Sequence, residues 1–255
     1  NEYDTLLANG EIRGFNQELM LRIMSDEDRL VQDCDIRWYK HSTVLKHQSR
    51  FNFYITTDFA TSAKTASDYS VISVWALNNN GDWFWVDGVC QRQLMDQNIN
   101  DLFRLAQKYR PQSVGIEVSG QQGGFIPWIQ NEMLQRNCWF NLASENNSNT
   151  PGIRPTTNKM QRFNLVVPYF KAGKMYFPTE VKHEPFLQEA MAELSLAAAS
   201  GFRSKHDDFI DTVSQLASLT TWRPDQEGKV NDASGIWELE EDDNEYDDQL
   251  SSYII

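Results

Sequence analysis

The order of strand-like and helix-like segments from residue 51 onward restricts the folds open to this chain. Apolar, β-branched and aromatic residues dominate three runs, Phe51–Phe59, Ser70–Leu77 and Asp82–Val89, and this composition is typical of β-strands. The second and third runs are joined by Asn-Asn-Asn-Gly at Asn78–Gly81, which favours a tight hairpin turn. The three runs therefore predict neighbouring antiparallel strands.

Beyond the hairpin the pattern changes to alternating helices and strands. Apolar residues at helical spacing predict helices over Leu94–Tyr109 and Phe125–Arg136, and short apolar runs predict strands over Ser113–Val118 and Cys138–Ala143. Strand–helix–strand connections of this length join parallel strands. The sequence thus predicts an α/β fold, a mixed sheet with helices on both faces.

The last third of the chain is predicted to be mainly helical. Residues 144–157 are polar and include Pro151 and Pro155, so a mobile loop is expected before it. Asn158 can cap the first of the helices, and Gly173 can end it. The predicted elements are helices over Asn158–Ala172, Glu184–Ala199 and Asp207–Trp222 and a strand over Met175–Phe177.

The two ends of the chain differ in composition from its middle. Residues 1–50 have mixed polarity and are predicted to be an inter-domain linker or remnant, which leaves residues 51–225 as the domain. Residues 226–255 contain ten Asp and Glu but one Lys, and we expect an acidic, disordered tail. The tail carries most of the net charge of −13, so the charge of the remaining chain does not exclude a nucleic-acid partner.

The lengths of the apolar runs and the spacing of the cysteines bear on membrane association and on the redox compartment. No apolar run approaches the roughly 18 residues of a membrane span, so no membrane association is expected. The three cysteines, Cys34, Cys90 and Cys138, lie far apart and form no CxxC pair. That spacing argues against a zinc site or a disulfide framework, and it is typical of a protein from a reducing compartment.

Carboxylates stand where the local structure disfavours charge. Asp58 ends the first strand, Glu117 interrupts the run Ser113–Val118, and Asp207, Asp208 and Asp211 open the last helix. Acidic residues are depleted in strands, and isolated buried charges are costly. In the predicted sheet, Asp58 and Glu117 fall on neighbouring strands, and the last helix can cross the same end.

Such a cluster predicts a site for a divalent metal. Carboxylate oxygens suit Mg²⁺ or Mn²⁺ rather than zinc. Two ions about 3.5–4 Å apart can activate water and stabilise the leaving oxygen in phosphodiester cleavage. Taken singly, however, Asp58 can cap a loop, Glu117 can sit on an exposed edge, and Asp207 and Asp208 can cap a helix.

Further residues have two interpretations each. His206 can support a metal-bound carboxylate or be an ordinary loop histidine. The glycine-containing segment Gly120–Gly124 can be a flexible turn beside Glu117 or a contact for a DNA backbone, but it matches no nucleotide-binding motif. Four basic residues are predicted either to contact DNA phosphates or to be solvated surface: Lys159, Arg162, Arg203 and Lys205.

The carboxylates belong to a longer ordered set of motifs. The set comprises Thr57–Ala60, Gly115–Glu117 with the following glycine-containing loop, Lys159–Arg162, Pro168–Pro178 and His206–Asp211. In this order the motifs resemble the C-terminal nuclease domain of the large terminase subunit from tailed double-stranded DNA bacteriophages. The resemblance covers roughly residues 51–222, and its most specific motif is His-Asp-Asp-Phe-Ile-Asp at His206–Asp211.

The resemblance implies an RNase H-like fold with a site for two Mg²⁺ or Mn²⁺ ions. Asp58 would match the first-strand aspartate of that family and Glu117 its second acidic ligand. The third ligand would fall among Asp207, Asp208 and Asp211, with Asp208 favoured and the other two assisting. The catalytic set implied is therefore Asp58, Glu117 and Asp208.

The family also implies a biological setting. Its nuclease domain cuts concatemeric viral DNA, with low sequence specificity, during genome packaging into the procapsid. The implied partners are double-stranded DNA, the portal protein and the small terminase subunit, in the host-cell cytoplasm at the procapsid portal. The acidic tail would either meet the portal or be inert. No GxxxxGK[ST] motif occurs, so the family's ATPase domain is expected to be missing from this chain.

Two other functions are compatible with the sequence. One is a different RNase H-like nuclease that acts on DNA junctions or RNA–DNA hybrids. The other is a docking module without catalysis, in which the fold and the acidic tail bind a portal or motor partner.

Overall fold

A computed structural model of the chain describes residues 28–60, 69–118, 124–204 and 206–225, together with two short strands further on. The helices are α1 (His41–Lys46), α2 (Met95–Tyr109), α3 (Phe125–Arg136), α4 (Lys159–Asn164), α5 (Val167–Lys171), α6 (Pro185–Ser195) and α7 (Asp208–Ser214). No helix in this described part of the chain is long and apolar enough to cross a membrane.

The strands are mostly short and lie between these helices. They are β1 (Arg37–Tyr39), β2 (Asn52–Asp58), β3 (Ser70–Leu77), β4 (Trp83–Gln91), β5 (Ser113–Ile116), β6 (Ser144–Glu145), β7 (Gly152–Ile153), β8 (Met175–Pro178), β9 (Ala197–Ala198), β10 (Gly201–Phe202), β11 (Val230–Asn231) and β12 (Ile236–Trp237).

A mixed sheet forms the centre of the fold. Six of the described strands lie in the order β1-β8-β4-β3-β2-β5. The strand β3 runs antiparallel to both β2 and β4, whereas β2 is parallel to β5, and β4 is parallel to β8. This arrangement confirms the predicted α/β fold class with a mixed sheet.

Helices cover both faces of the sheet and create two apolar cores. On one face Ile55, Ile72 and Phe103 pack together with side chains of α2 and α3. On the other face Trp75 and Phe209 belong to a second cluster that includes residues of α4 to α7. Because both faces are covered, every residue of β3 is buried, which explains why its sequence is apolar apart from Ser70 and Ser73.

Several predicted elements are shorter or more divided than the sequence suggested. The fifth strand, expected at Cys138–Ala143, is a single parallel bridge between Val114 and Leu142. The helix expected to run from Asn158 to Ala172 is split into α4 and α5, because Pro168 lacks the N–H that a continuous helix needs. The last helix ends at Ser214 and continues as a 3-10 turn over Gln215–Ser218.

The segment before residue 51 is not simply a linker. The strand β1 pairs in parallel with β8, and the Tyr39 hydroxyl donates a hydrogen bond to the Trp85 carbonyl at 2.8 Å. The sheet therefore begins at Arg37, ahead of the predicted domain start at residue 51. Residues 1–27 lie outside the described residues.

The predicted disordered tail contains one described pairing. The strand β11 pairs antiparallel with β12. The acidic, disordered tail stays a prediction. The other residues of 226–255 lie outside the described residues.

Candidate metal centre and active site

Asp58 and Glu117 come side by side because of the register of two parallel strands. Thr57 of β2 is opposite Ile116 of β5, so the next residue of each strand is a carboxylate. A side chain at Gly115 would point at Gln215, which follows α7. Glu117 lies two residues further along and therefore faces the same side of the sheet. The structure thus brings together the two strand carboxylates that the sequence predicted.

The helix α7 adds two more carboxylates from above the sheet. Asp208 and Asp211 are three positions apart and share one helix face. They are 5% and 8% exposed respectively. Thr212 of the same helix is within hydrogen-bond distance of Ser73 in β3, with 3.1 Å between the hydroxyl oxygens. This contact ties the helix to the middle of the sheet.

The four carboxylates act on one another electrostatically. Burial raises the pKa of Asp58 well above its usual range, and the charges of Asp211, Asp208 and Glu117 raise it further. Burial also raises the pKa of Asp211, against the opposing effect of Lys159. Like charges held this close in an apolar setting favour protonation or a bound cation.

Two cations of the chain reach into this cluster. The Lys159 Nζ lies 2.6 Å from Asp211 Oδ2 and 2.7 Å from Asp207 Oδ1. The Arg162 Nη2 lies 3.1 Å from Asp211 Oδ1 and 3.4 Å from Glu117 Oε2. Both cations stand on α4, three positions apart and therefore on one helix face. Their predicted contact with DNA stays a prediction, because the structure places them on carboxylates.

Burial and the neighbouring carboxylates have opposite effects on the pKa of Lys159. Burial by itself would lower the pKa of its ammonium. The attraction of Asp211 and Asp207 outweighs burial and raises that pKa. Lys159 is therefore a permanent positive charge beside the cluster across the pH range in which proteins work.

The remaining members of the acidic motif sit less centrally. Asp207 is about one-third exposed and is bonded to Lys159. The Nδ1 atom of His206 lies 3.9 Å from Asp208 Oδ2, which is too long for a hydrogen bond. The Asp208 Oδ2 instead accepts the Tyr69 backbone N–H at 3.0 Å. The supporting role of His206 and the ligand role of Asp207 stay predictions.

The other predicted DNA-binding residues are not brought to the carboxylates by the contacts described. Arg203 is exposed, and its guanidinium donates to the Ser200 hydroxyl at 3.4 Å. Lys205 and residues 119–123, which include most of the glycine-containing segment, lie outside the described residues.

Two buried polar residues that the sequence reasoning missed hold the site in shape. The Gln215 side-chain amide donates to the Thr57 carbonyl at 2.7 Å and accepts the Thr57 N–H at 3.4 Å, beside Asp58. The Glu193 Oε2 atom accepts the Ile210 N–H in the first turn of α7 at 3.1 Å.

Both positions carried a signal in the sequence. Gln215 follows Asp211 by four residues and Asp208 by seven, which places all three on one helical face. Glu193 interrupts the apolar stripe of α6, three residues after Ala190 and one before Leu194. A charge inside such a stripe indicates a buried group with a specific partner.

The donor set fits a hard divalent cation in its chemistry. Asp58, Glu117, Asp208 and Asp211 offer only carboxylate oxygens, which Mg²⁺ and Mn²⁺ prefer. Among the described residues, no three His, Cys, Asp or Glu side chains converge closely enough to hold an ion as they stand. The oxygens of Asp211 and Glu117 are directed to Lys159 and Arg162 instead, so these oxygens would have to exchange a cation of the chain for a metal.

Comparisons with known proteins give structural neighbours only. No family model and no curated protein matches the sequence. The chain is similar to the large terminase nuclease from thermophilic phage G20c with bound cobalt, at 17% identity over 66% of this chain and 81% of that one, with a TM-score of 0.44. It is also similar to the manganese-soaked human cytomegalovirus terminase nuclease domain, at 13% identity over 73% and 93%, with a TM-score of 0.49.

A third similar structure is the HK97 bacteriophage large terminase, at 11% identity over 66% of this chain and 38% of that one, with a TM-score of 0.39. All three are terminases or terminase nuclease domains, two from bacteriophages and one from human cytomegalovirus. What points to the function of this chain is its own set of carboxylates.

Proposed function

We propose that this chain is a divalent-metal-dependent endonuclease that hydrolyses phosphodiester bonds in double-stranded DNA. One observation carries the proposal. Four carboxylates from segments far apart in sequence meet over one end of the sheet. They come from two strands and a helix and are Asp58, Glu117, Asp208 and Asp211. An all-oxygen cluster of this kind is costly in a folded protein unless a cation is bound there.

The chain's own residues divide the work of the site. Asp58, Glu117 and Asp208 would hold the metal, with Asp211 assisting, and two ions fit the number of carboxylates. When bound, the metal would supply Lewis-acid activation of water and stabilisation of the leaving oxygen. Lys159 and Arg162 offset the charge of the cluster, and Gln215 and Glu193 fix α7 against β2.

The biological part of the proposal rests on the motif resemblance alone. It assigns the chain the cutting of concatemeric viral DNA, with low sequence specificity, during packaging into the procapsid. Its partners would be the portal protein and the small terminase subunit, in the host-cell cytoplasm at the portal. An ATPase elsewhere would supply the translocation of DNA.

Cleavage of supercoiled plasmid tests the proposal. In Mg²⁺ or Mn²⁺ the chain should nick and then linearise the plasmid, and chelator should stop it. Loss of residues that merely support metal ligands costs about 10–100-fold, so Asp58→Asn should reduce the rate by at least about a hundredfold. The control is Asp96→Asn in the first turn of α2, which should leave the rate unchanged.

A binding measurement makes the test independent of turnover. Titration calorimetry with Mn²⁺ should show heat for the wild type and for Asp96→Asn, but weak or no heat for Asp58→Asn. Full activity of Asp58→Asn would remove it from the site. Faster cutting of four-way junctions or RNA–DNA hybrids than of plain duplex would replace the proposed substrate with one of those.

A further inference from the structure

A groove of about 820 Å³ opens directly beside the carboxylates. Glu117 and Arg162 are among the residues that line it, so these two residues belong both to the groove and to the cluster. The helix α3 forms one wall, and the segment 147–155 forms the other. Anything that lies in the groove is therefore adjacent to the bond that the proposed site would cut.

The lining has the mixed character that a nucleic-acid strand requires. Ile126, Pro127 and Pro151 are apolar and can contact sugars and bases, while Gln130 can form hydrogen bonds. Arg154 adds a guanidinium, which binds phosphate in two-pronged geometry. Glu117 is the only acidic residue among the described residues that line the groove, in a chain whose net charge is −13.

The guanidinium of Arg154 is available for a ligand. Arg154 is exposed, and its side chain has no hydrogen bond or ion pair with the described part of the molecule. Arg162, in contrast, is bonded to Glu117 and Asp211. Of the two arginines in the groove, Arg154 can thus take a phosphate without releasing a carboxylate.

The backbone fixes Arg154 relative to the cluster. Glu117 forms a parallel bridge with Ile153, the residue just before Arg154. The Val118 N–H donates to the Ile153 carbonyl at 2.9 Å, and the Arg154 N–H donates to the Glu145 carbonyl at 2.9 Å. Strand pairing thus fixes the Arg154 backbone relative to Glu117, which leaves only the Arg154 side chain to be ordered on binding.

We propose that this groove holds the DNA strand on one side of the bond to be cut, with a backbone phosphate on Arg154. The proposal rests on the proposed nuclease function and gives the substrate a direction across the site. The strand would leave the carboxylates past Glu117 and lie between α3 and residues 147–155. Arg154 contacts the substrate away from the reacting atoms and sets its position.

Two matched pairs of variants test the groove. Arg154→Gln is compared with Arg110→Gln, an exposed arginine that lines a separate groove ahead of β5. Gln130→Glu is compared with Gln107→Glu, since both glutamines are exposed helical residues, one for each groove. Within each pair the change in net charge is identical, so a general electrostatic effect would act equally on both members.

The affinity for a short duplex DNA is measured by fluorescence anisotropy in Ca²⁺ at several salt concentrations, and the cleavage kinetics are measured in Mg²⁺. Arg154→Gln should lower the slope of log affinity against log salt by about 1. It should also raise the KM several-fold while kcat changes little, and Gln130→Glu should raise the KM as well. The two control variants should match the wild type, and all four should unfold at wild-type temperature.

The outcomes separate this inference from the proposed function. If the wild type cuts DNA but Arg154→Gln keeps the wild-type salt slope and KM, the groove assignment is overturned and the nuclease stands. Equal effects of Arg154→Gln and Arg110→Gln would overturn it too. If the salt slope changes only in Arg154→Gln while no metal supports cleavage, the DNA contact at Arg154 is upheld and the nuclease proposal fails.

Discussion

Lys159 places its ammonium between two carboxylates of the candidate site, within 2.7 Å of each. At the scale of single residues, this contact opposes the rise in pKa that burial and the neighbouring carboxylates impose on Asp58 and Asp211. The same contact competes with a metal for the oxygens of Asp211. The chain therefore carries an internal cation at a place where a divalent ion is proposed to bind.

Replacing this internal cation should expose the competition. Lys159→Met leaves Asp211 without its closest partner, so the metal-free protein should lose about 1–3 kcal/mol of stability. Saturating Mg²⁺ should then raise the melting temperature of the variant more than that of the wild type. Thermal unfolding with and without Mg²⁺ measures both effects.

The control is Lys108→Met, which removes a comparable ion pair with Asp87, 2.9 Å long, from another part of the molecule. It should leave the Mg²⁺-induced shift as in the wild type. A Mg²⁺ shift in Lys159→Met no larger than in this control would mean that Lys159 and the metal do not share the same oxygens.

At the scale of elements, α7 is held by polar groups that are themselves buried. Glu193 on α6 binds the first turn of α7, and Gln215 binds the backbone of β2 beside Asp58. Burial raises the pKa of Glu193 well above its usual range, the Ile210 N–H opposes that rise, and the charge of Asp208 adds to it. The geometry of the site is therefore linked to the protonation of a residue outside it.

This linkage has a definite sign. Glu193 holds its proton to a higher pH in the folded chain than in the unfolded chain, so its stabilising contribution is complete below the unfolded pKa. That contribution is lost as the pH rises through the folded pKa. The glutamine of Glu193→Gln does not titrate. In the presence of chelator, the melting temperature of the variant should therefore rise relative to that of the wild type as the pH is raised from about 5 to 8. A difference independent of pH would show that the Glu193 carboxyl does not titrate differently on unfolding.

The close approach of Gln215 to β5 also depends on one glycine. A Cβ at Gly115 would lie 2.9 Å from the Gln215 Oε1 and 3.0 Å from the Ile153 Cδ1. Gly115→Ala should thus cost about 1–3 kcal/mol of stability by overpacking and should lower cleavage by displacing Gln215. Gly124→Ala is the matched control, because a Cβ there meets nothing within 4 Å.

Chemical denaturation gives the stability of both glycine variants. The change for Gly124→Ala should stay within about 1 kcal/mol. If Gly115→Ala proved as stable as Gly124→Ala, the side chains around Gly115 would have enough freedom to move aside, and the contact would not restrict the fold.

At the scale of the whole molecule, the domain is larger than its nuclease motifs. Tyr39 and Val44 lie ahead of residue 51 and are fully buried. The strand β1 also covers the outer edge of β8, which would otherwise be free to pair with another chain. Residues 37–50 are therefore part of the same core as the carboxylate-bearing strands.

Truncation tests this boundary. Burying a large apolar side chain contributes about 1.5–3 kcal/mol, so a chain that begins at residue 51 should lose at least about 3 kcal/mol relative to one that begins at residue 28. It should also aggregate more readily. Thermal unfolding and light scattering compare the two chains, and equal melting temperatures would restore the boundary predicted from the sequence.

Some elements were predictable because their signals are local. The Asn-Asn-Asn-Gly turn, the apolar runs of the strands and the periodicity of α2 and α3 each act within a few residues of the chain. The predicted fifth strand and the long helix before Gly173 were wrong in extent. A bridge at Leu142 depends on pairing with Val114, and the break at Pro168 leaves two short helices that packing, rather than propensity, must stabilise.

By itself the sequence determined the fold class and the carboxylates that define the candidate site, because charges placed in apolar segments are conspicuous without any knowledge of contacts. Only the tertiary structure decided which groups surround them. The packing of distant segments places five features around the carboxylates: Lys159, Arg162, Gln215, Glu193 and the groove at Arg154. A hydrogen bond or ion pair between residues remote in sequence leaves no local pattern, since the register of β2 with β5 and the position of α7 exist only once the chain has folded.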